Sequence, residues 1–331
     1  MKNILEKLLN NNDLSVDESY DLMVSMMSGA YDDAQISGLL IALRAKGESV
    51  DEIIGFAKGM REKMITVPIS SFAIDMCGTG GDKSGTFNIS TAASFVVAGA
   101  GVHVAKHGNR SMTSKSGSAD VLESLGVDIK LPLHKSAANI DKIGLGFLFA
   151  PSFHPAMKYA MQVRKSIACR TVFNILGPLS NPANVKAQAM GIFSPDLTEV
   201  QCNVLKALGS TDVMVFHSND GLDEISNTSQ TKISQYLNEG EVTTYEFDPE
   251  NIGIEKASLN EIAGGTPKQN ANIIIDILKG KTGPKRDVVL LNSAAGILVG
   301  GKAKTFEESL DVAKESIDSG AAFEILNCLK G

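Results

Sequence analysis

Ile36, Leu39, Leu40 and Leu43 recur at i, i+3, i+4 and i+7, a single apolar stripe that predicts a helix. Asp32-Asp33-Ala34-Gln35 precedes it as a variant capping box, and Gly47 stops it. Two further capping boxes, Ser15-Val16-Asp17-Glu18 and Ser49-Val50-Asp51-Glu52, open two more helices. Ile53, Ile54, Ala57 and Met60 mark the buried side of the later one. Met23, Met26 and Met27 read as packing residues with no cofactor spacing. Up to about Val67 the chain is helical throughout.

From Ala73 the pattern changes to short apolar strands alternating with helices. Ala73–Cys77, Val102–Ala105, Leu145–Phe149, Val213–Phe216 and Asp287–Leu291 read as strands, and Ser90–Ala100, Ser118–Leu125 and Ser293–Val299 as helices. Such alternation predicts an α/β fold with a mainly parallel sheet flanked by helices and ligands at the carboxyl ends of the strands. Gly78, Lys106, Ala150 and His217 all fall at such ends, so one common site is expected. Tyr159–Pro182 returns to helical and loop character and is expected to cross back to the N-terminal helices. Tyr245–Asn260, with Pro249 and Gly253, reads as a surface excursion. The expected division is a small all-helical domain over 1–69, joined by 159–182, and a larger α/β domain over 70–331.

With 331 residues, 43% of them hydrophobic, the chain can bury a substantial core and divide in two. A net charge of −7 and a pI near 5.4 argue against nucleic acid or an anionic membrane as partner. No run approaches the roughly 20 apolar residues of a membrane span, and a cytoplasmic protein is expected. Cys77, Cys169, Cys202 and Cys328 are widely spaced and form no CxxC, so they read mostly as buried thiols of a reducing compartment.

The chemistry concentrates between Gly78 and Asp120. Gly78-Thr79-Gly80-Gly81-Asp82 is followed by Asn88-Ile89-Ser90-Thr91, then Lys106-His107-Gly108-Asn109-Arg110, then Lys115-Ser116-Gly117-Ser118-Ala119-Asp120. Small, amide-exposing and hydroxyl residues with spaced cations are what a phosphate cradle needs. The turn is not a P-loop, because Asp82 precedes Lys83-Ser84, and not a dinucleotide fingerprint, because Lys83 takes the sixth position. Taken alone it reads as an ordinary glycine-rich βα turn, a reading that weakens because the Asn-Ile-Ser-Thr and Lys-His-Gly-Asn segments follow at successive strand-to-helix junctions. Asp223-Glu224, far downstream, reads either as a magnesium pair for a polyphosphate or as a charge pair at a helix N-terminus. Diphosphate, magnesium and no nucleophile triad point to transfer from a diphosphate-activated sugar, a reaction run by positioning and charge neutralisation with no acid or base assigned.

These segments closely resemble the motifs of the anthranilate phosphoribosyltransferase family. The resemblance extends through Phe149-Ala150-Pro151, His154-Pro155-Ala156-Met157, Arg164, Asn174–Leu179, Pro267-Lys268-Gln269-Asn270 and Asp287–Asn292, almost the whole chain. It departs at Ser152 and at Met112-Thr113. It implies a homodimer that transfers the phosphoribosyl group of 5-phosphoribosyl 1-diphosphate to anthranilate, the second step of tryptophan biosynthesis from chorismate, with two magnesium ions per protomer. It further implies that Gly78, Gly81, Asp82, Thr86, Asn88, Ile89, Ser90 and Thr91 line the phosphoribosyl diphosphate site. Lys106, His107, Gly108, Asn109, Arg110, Ser111, Met112, Thr113, Ser114 and Ser118 would grip it as a closing loop. Gly78, Asn109 and Arg164 would bind anthranilate, and Ser90, Asp223 and Glu224 would hold the metal. Arg164, beside Lys165 in a polar helix, reads on its own as a surface or helix-capping arginine; its planar fork also suits a carboxylate.

An aromatic amine can attack before it loses a proton, so His107 reads as a loop hydrogen-bonder and His154 as cleft lining. His103 and His134 read as structural or solvent-facing, and His217 as a strand-end residue. Two rival readings, a pyrimidine nucleoside phosphorylase and a non-catalytic nucleic-acid-binding relative of the same fold, are disfavoured by the acidic pair and by the net negative charge respectively.

Overall fold

The computed structural model describes residues 1–82, 84–111 and 115–330. Four helices open the chain: α1 (Lys2–Leu9), α2 (Val16–Met27), α3 (Asp33–Lys46) and α4 (Val50–Lys63). All three sequence signals for helix starts become reciprocal capping boxes, at Ser15/Glu18, Asp32/Gln35 and Ser49/Glu52, and Gly47 closes α3 at φ +86°.

Among the described residues seven strands form one sheet: β1 (Ala73–Gly78), β2 (His103–Gly108), β3 (Leu145–Phe149), β4 (Ala187–Gly191), β5 (Asp212–Ser218), β6 (Thr231–Tyr236) and β7 (Thr243–Phe247). Their order is β3-β2-β1-β4-β5-β6-β7, with β1 to β5 parallel and the last two antiparallel. The chain fills the sheet outward from β1 to β3 and then restarts on the other side with β4. The β1/β4 boundary is thus the topological switch point, where an open parallel sheet leaves a crevice at its carboxyl ends.

Between β1 and β2 runs α5 (Ile89–Gly99), and between β2 and β3 run α6 (Ser118–Ser124) and α7 (Leu133–Ile143). The path from β3 to β4 carries α8 (Ala150–Phe153), α9 (Lys158–Ile167) and α10 (Phe173–Leu176), and α11 (Leu197–Ala207) links β4 to β5. The chain ends with α12 (Pro267–Leu278), α13 (Pro284–Val299), α14 (Phe306–Asp318) and α15 (Ala321–Lys330). Alternation along β5 sends Met214 and Phe216 into a core shared with α5 and α13, and Val213 and Val215 into a core shared with α2, α3 and α4. The returning segment packs there too, α9 on α2 and α3, and α10 on α4.

Four expectations are corrected. Asp287–Leu291 is not a strand: it lies inside α13, which starts at Pro284 and is buried on nearly every side between α5, α14 and the sheet. A helix enclosed on all sides loses its stripe and reads like a buried strand. Tyr245–Asn260 is not wholly an excursion, since its first residues complete the exposed edge strand β7. Cys77 and Cys202 are buried as expected, but Cys169 and Cys328 are exposed. Strand β2 also runs on to Gly108, so Lys106 and His107 are strand residues rather than loop residues.

Candidate active site

The glycine turn leaves β1 at the switch point. Gly80 and Gly81 take φ +65° and +79°, a region open to glycine, and this aims their backbone into the crevice. Thr79 N–H donates to Gly191 O at the end of β4 (3.0 Å), and Gly80 N–H donates to Asp223 Oδ2 (2.7 Å). A Cβ on Gly78 would lie 2.6 Å from Asp223 Oδ2, and one on Gly191 would lie 1.7 Å from Asp223 O. The two strand ends are bare so that the acidic loop can lie on them.

That loop, between β5 and β6, is not helical, which removes the helix-terminus reading of Asp223-Glu224. It is braced from within: Ser218 N–H donates to Leu222 O (3.0 Å), and Asp220 accepts from Leu222 N–H (3.2 Å) and Ser226 Oγ–H (2.8 Å). Glu224 Oε1 accepts the Ser90 N–H in the first turn of α5 (3.2 Å). A carboxylate therefore occupies an anion-binding helix start. Burial pushes Asp223 up to about 7, helped by repulsion from Asp82. Glu224 is raised well above the usual carboxylate range by burial and by Asp223. A buried group of mutually repelling carboxyls is short of positive charge, which fits a cation. Among the described residues no three His, Cys, Asp or Glu side chains form a ready metal cage. Magnesium does not need one, since it commonly takes one or two carboxylates plus substrate phosphates.

Lys106, buried at 3% exposure, directs its ammonium to Met76 O and lies 3.4 Å from Ser90 Oγ. Burial lowers its pKa while Asp75, Cys77 and Glu224 attract the charge. Asn88 is tied on both sides: Nδ2 donates to Ser116 O (3.0 Å), and Oδ1 accepts from Ser116 Oγ and Asn270 Nδ2 (3.0 Å each). Ile89 is core, buried at 1%, and can offer the site backbone alone. Thr91 is buried, its Oγ1 unpartnered among the described residues, and Thr86 bridges to Ala263. Asp82 accepts from Ser84 Oγ–H (2.6 Å).

The segment after β2 curls onto α6. Asn109 O accepts from Ala119 N–H and Ser118 Oγ–H (3.2 Å each), and Ser111 N–H donates to Asp120 (3.1 Å). Arg110 does not point into the crevice; it is forked onto Asp120 and Glu123 and lies over the Phe149 ring. Met112, Thr113 and Ser114 fall outside the described residues, as does Lys83.

His107 and His154 face each other with ring centroids 5.0 Å apart. Burial lowers His107 to about 3, with a further push from His154, and burial lowers His154 to about 4. Both are neutral imidazoles whose Nε2 atoms are unpartnered among the described residues. His217 is spent on structure, its Nδ1 2.7 Å from Ile192 O. Arg164, on α9, stacks over Phe173 at 5.3 Å, and burial lowers its pKa.

Sequence reasoning missed several contributors. Asp75, polar within the apolar strand Ala73–Cys77, accepts the His107 N–H (3.1 Å) and is raised to about 6 by burial; that polarity was the available signal. Arg170 donates to Gly81 O and stacks on Phe193 at 4.0 Å, joining the returning segment to the glycine turn. Asn270 and Asn292, quoted above within longer segments, hold Asn88 and Ile225. Nothing in the sequence marks Gly191, since its role depends on a loop distant in the chain.

Comparison with known proteins agrees with this geometry. The "Glycosyl transferase family, helical bundle domain" matches residues 2–64, and the "Glycosyl transferase family, a/b domain" matches residues 70–323. The anthranilate phosphoribosyltransferase of Acetivibrio thermocellus is 50% identical over 328 residues, 99% of this chain and 95% of that protein. The structure of the Thermus thermophilus anthranilate phosphoribosyltransferase superposes with a TM-score of 0.93 at 38% identity, covering 99% of this chain and 98% of that one. That of the Saccharomyces cerevisiae enzyme, in complex with PRPP and Mg, gives 0.88 at 29% identity, over 98% and 95%. Identity of this order along the full length, on a matching fold, establishes that the chain belongs to the anthranilate phosphoribosyltransferase family.

Proposed function

We propose that this chain transfers the phosphoribosyl group from 5-phosphoribosyl 1-diphosphate to anthranilate, giving N-(5-phosphoribosyl)anthranilate and diphosphate, the second step of tryptophan biosynthesis from chorismate. The observation that carries this reading is the meeting of the glycine turn, the start of α5 and the Asp223-Glu224 loop at one switch-point crevice. The anthranilate nitrogen attacks C1 of the ribose, the C1–oxygen bond breaks, and its electron pair leaves with diphosphate; the nitrogen then releases its proton to solvent. The turn Gly78–Gly81 and the start of α5 would lie against the phosphates, which take the Gly80 and Ser90 N–H groups only as Asp223 and Glu224 release them, and Lys106 adds a positive charge beneath. Asn88–Thr91, Thr86, Asp82 and the segment Lys106–Ser114 with Ser118 complete that subsite. Arg110 reaches it only by leaving Asp120 and Glu123.

Ser90, Asp223 and Glu224 would hold magnesium, two ions per protomer, which supply charge neutralisation to the departing diphosphate. Asn109, Gly78 and Arg164 take anthranilate, whose carboxylate matches the Arg164 fork. The neutral His107 and His154 orient the amine rather than deprotonate it, in keeping with their depressed pKa values. The chain would act as a cytoplasmic homodimer, with 1–69 and 159–182 as one domain and the rest of 70–331 as the other. Magnesium-dependent loss of anthranilate fluorescence on adding phosphoribosyl diphosphate tests the reading. No loss under saturating substrates, together with salt-sensitive binding of single-stranded DNA, would overturn it.

A further inference from the structure

Asn292 is fully buried in α13, inside the apolar run Val288-Val289-Leu290-Leu291 to Ala294-Ala295, where a polar side chain needs partners. Its amide grips the acidic loop twice. Oδ1 accepts the Ile225 N–H (3.0 Å), and Nδ2 donates to Ile225 O (2.8 Å). The remaining N–H goes to Val288 O one turn back in α13 (2.8 Å). The two contacts to Ile225 fix the amide's orientation, because the NH2 group must face the carbonyls. Asn292 thus pairs with Ile225 as a neighbouring strand would, at a point where the chain has left β5 and not yet begun β6.

The residue it pins is next to Glu224, two beyond Asp223. Asp82 and Asp223 lie near one another, and Glu224 near both, in a largely buried setting, so the acidic loop brings like groups together. Gly80 N–H and Ser90 N–H hold the carboxylates from the front, and Asn292 holds the backbone from behind.

We propose that Asn292 is a positioning residue for the metal site, keeping Asp223 and Glu224 in place before any cation arrives. This rests on the reading that those carboxylates hold magnesium. Residues that orient metal ligands from behind typically change affinity by about 10–100-fold when removed, and Asn292 does so through the Ile225 backbone beside Glu224. Asn292→Ala removes the clamp; Ile297→Ala, in the same helix and equally buried, removes packing but no hydrogen bond to the loop. Mn2+ binding in the presence of phosphoribosyl diphosphate, followed by electron paramagnetic resonance, gives a readout separate from turnover. Asn292→Ala is expected to raise the half-saturating Mn2+ concentration about tenfold or more, Ile297→Ala to leave it near wild type, and both to keep the anthranilate KM.

Equal Mn2+ affinity in the two variants would overturn the proposal. Glu224→Gln in the same titration separates the causes: lost binding there with none lost in Asn292→Ala sinks the positioning role alone, whereas unchanged binding sinks the magnesium assignment beneath it. A measurement on the wild type covers the case in which Asn292→Ala does not fold. Hydrogen exchange in the ligand-free protein should find the Ile225 amide protected, and fast exchange there would overturn the clamp.

Discussion

Replacing Gly191 by alanine isolates the effect of backbone approach on catalysis. The new Cβ would sit 1.7 Å from Asp223 O and 2.5 Å from its carbonyl carbon. Both are backbone atoms, so no rotamer change relieves the clash. Ordinary contact starts at 3.4 Å, and the carbonyl must retreat by about 1.7 Å to reach it. The Gly80–Asp223 and Ser90–Glu224 hydrogen bonds, at 2.7 and 3.2 Å, cannot survive a shift of that size. A 1 Å misplacement can cost about 10²-fold in rate, and loss of one preorganised charge stabiliser about 10²–10³. Overpacking costs about 1–3 kcal/mol of stability. Gly191→Ala should therefore stay folded but lose about 10²-fold or more in kcat at saturating substrates and magnesium, read by anthranilate fluorescence alongside urea unfolding. Turnover within about a factor of three of wild type, under about 1 kcal/mol of barrier, would refute the close-approach account.

Arg164→Ala should raise the anthranilate KM tenfold or more, since losing one partner of a desolvated charge pair costs about 2–5 kcal/mol, while phosphoribosyl diphosphate affinity holds; equal weakening of both would make Arg164 structural. Asp75 holds its proton up to about 6 in the folded state. Its contribution to stability therefore falls, by about 3 kcal/mol, as pH rises from its unfolded pKa near 4 to about 6. Urea titrations of Asp75→Asn should lack that slope, and curves parallel to wild type would count against it. A thiol reagent should label Cys169 and Cys328 in the native protein, and Cys77 and Cys202 only after unfolding, because the latter two are buried with raised pKa values; four fast-reacting thiols would contradict this. Gly38→Ala, mid-helix with no atom within 4 Å of the new Cβ, should stabilise by about 0.5–1 kcal/mol, seen as a higher Tm.

The sequence was most legible where one face of an element is wet. The stripe Ile36–Leu43 and the boxes at Ser15, Asp32 and Ser49 reappear as α2, α3 and α4 because solvent on one side imposes a period. Legibility failed where burial is complete: Asp287–Leu291 carries no polar face to tell helix from strand. The site divides in the same way. Its glycine turn and the start of α5 are local in sequence and could be read directly. The parts contributed by distant partners could not: Gly191 is bare because of Asp223, Arg170 reaches Gly81, and Arg110 turns to Asp120 and Glu123 rather than to the crevice. Lys106 was read as loop and proved to be strand, because β2 is extended by pairing with β3, register information that no single segment contains.

The switch-point crevice also orders events in time. Strands β5, β6 and β7 pair with near neighbours, Val213 with Tyr236 and Thr231 with Phe247, so that meander closes short loops. The crevice needs Ile74 beside Ala187, Gly80 on a residue 143 positions away, and Ser90 on one 134 away. Contacts of such separation bear more loop-closure entropy and form late. The clamp from Asn292 comes later still during synthesis, being nearer the C-terminus than every other residue of the crevice. A nascent chain halted before it holds the whole glycine turn, the start of α5 and both carboxylates, with Gly80 and Ser90 to hold them in front but no clamp behind the loop. Catalytic competence in this fold is thus acquired last, and measuring it during refolding would time the completion of the sheet.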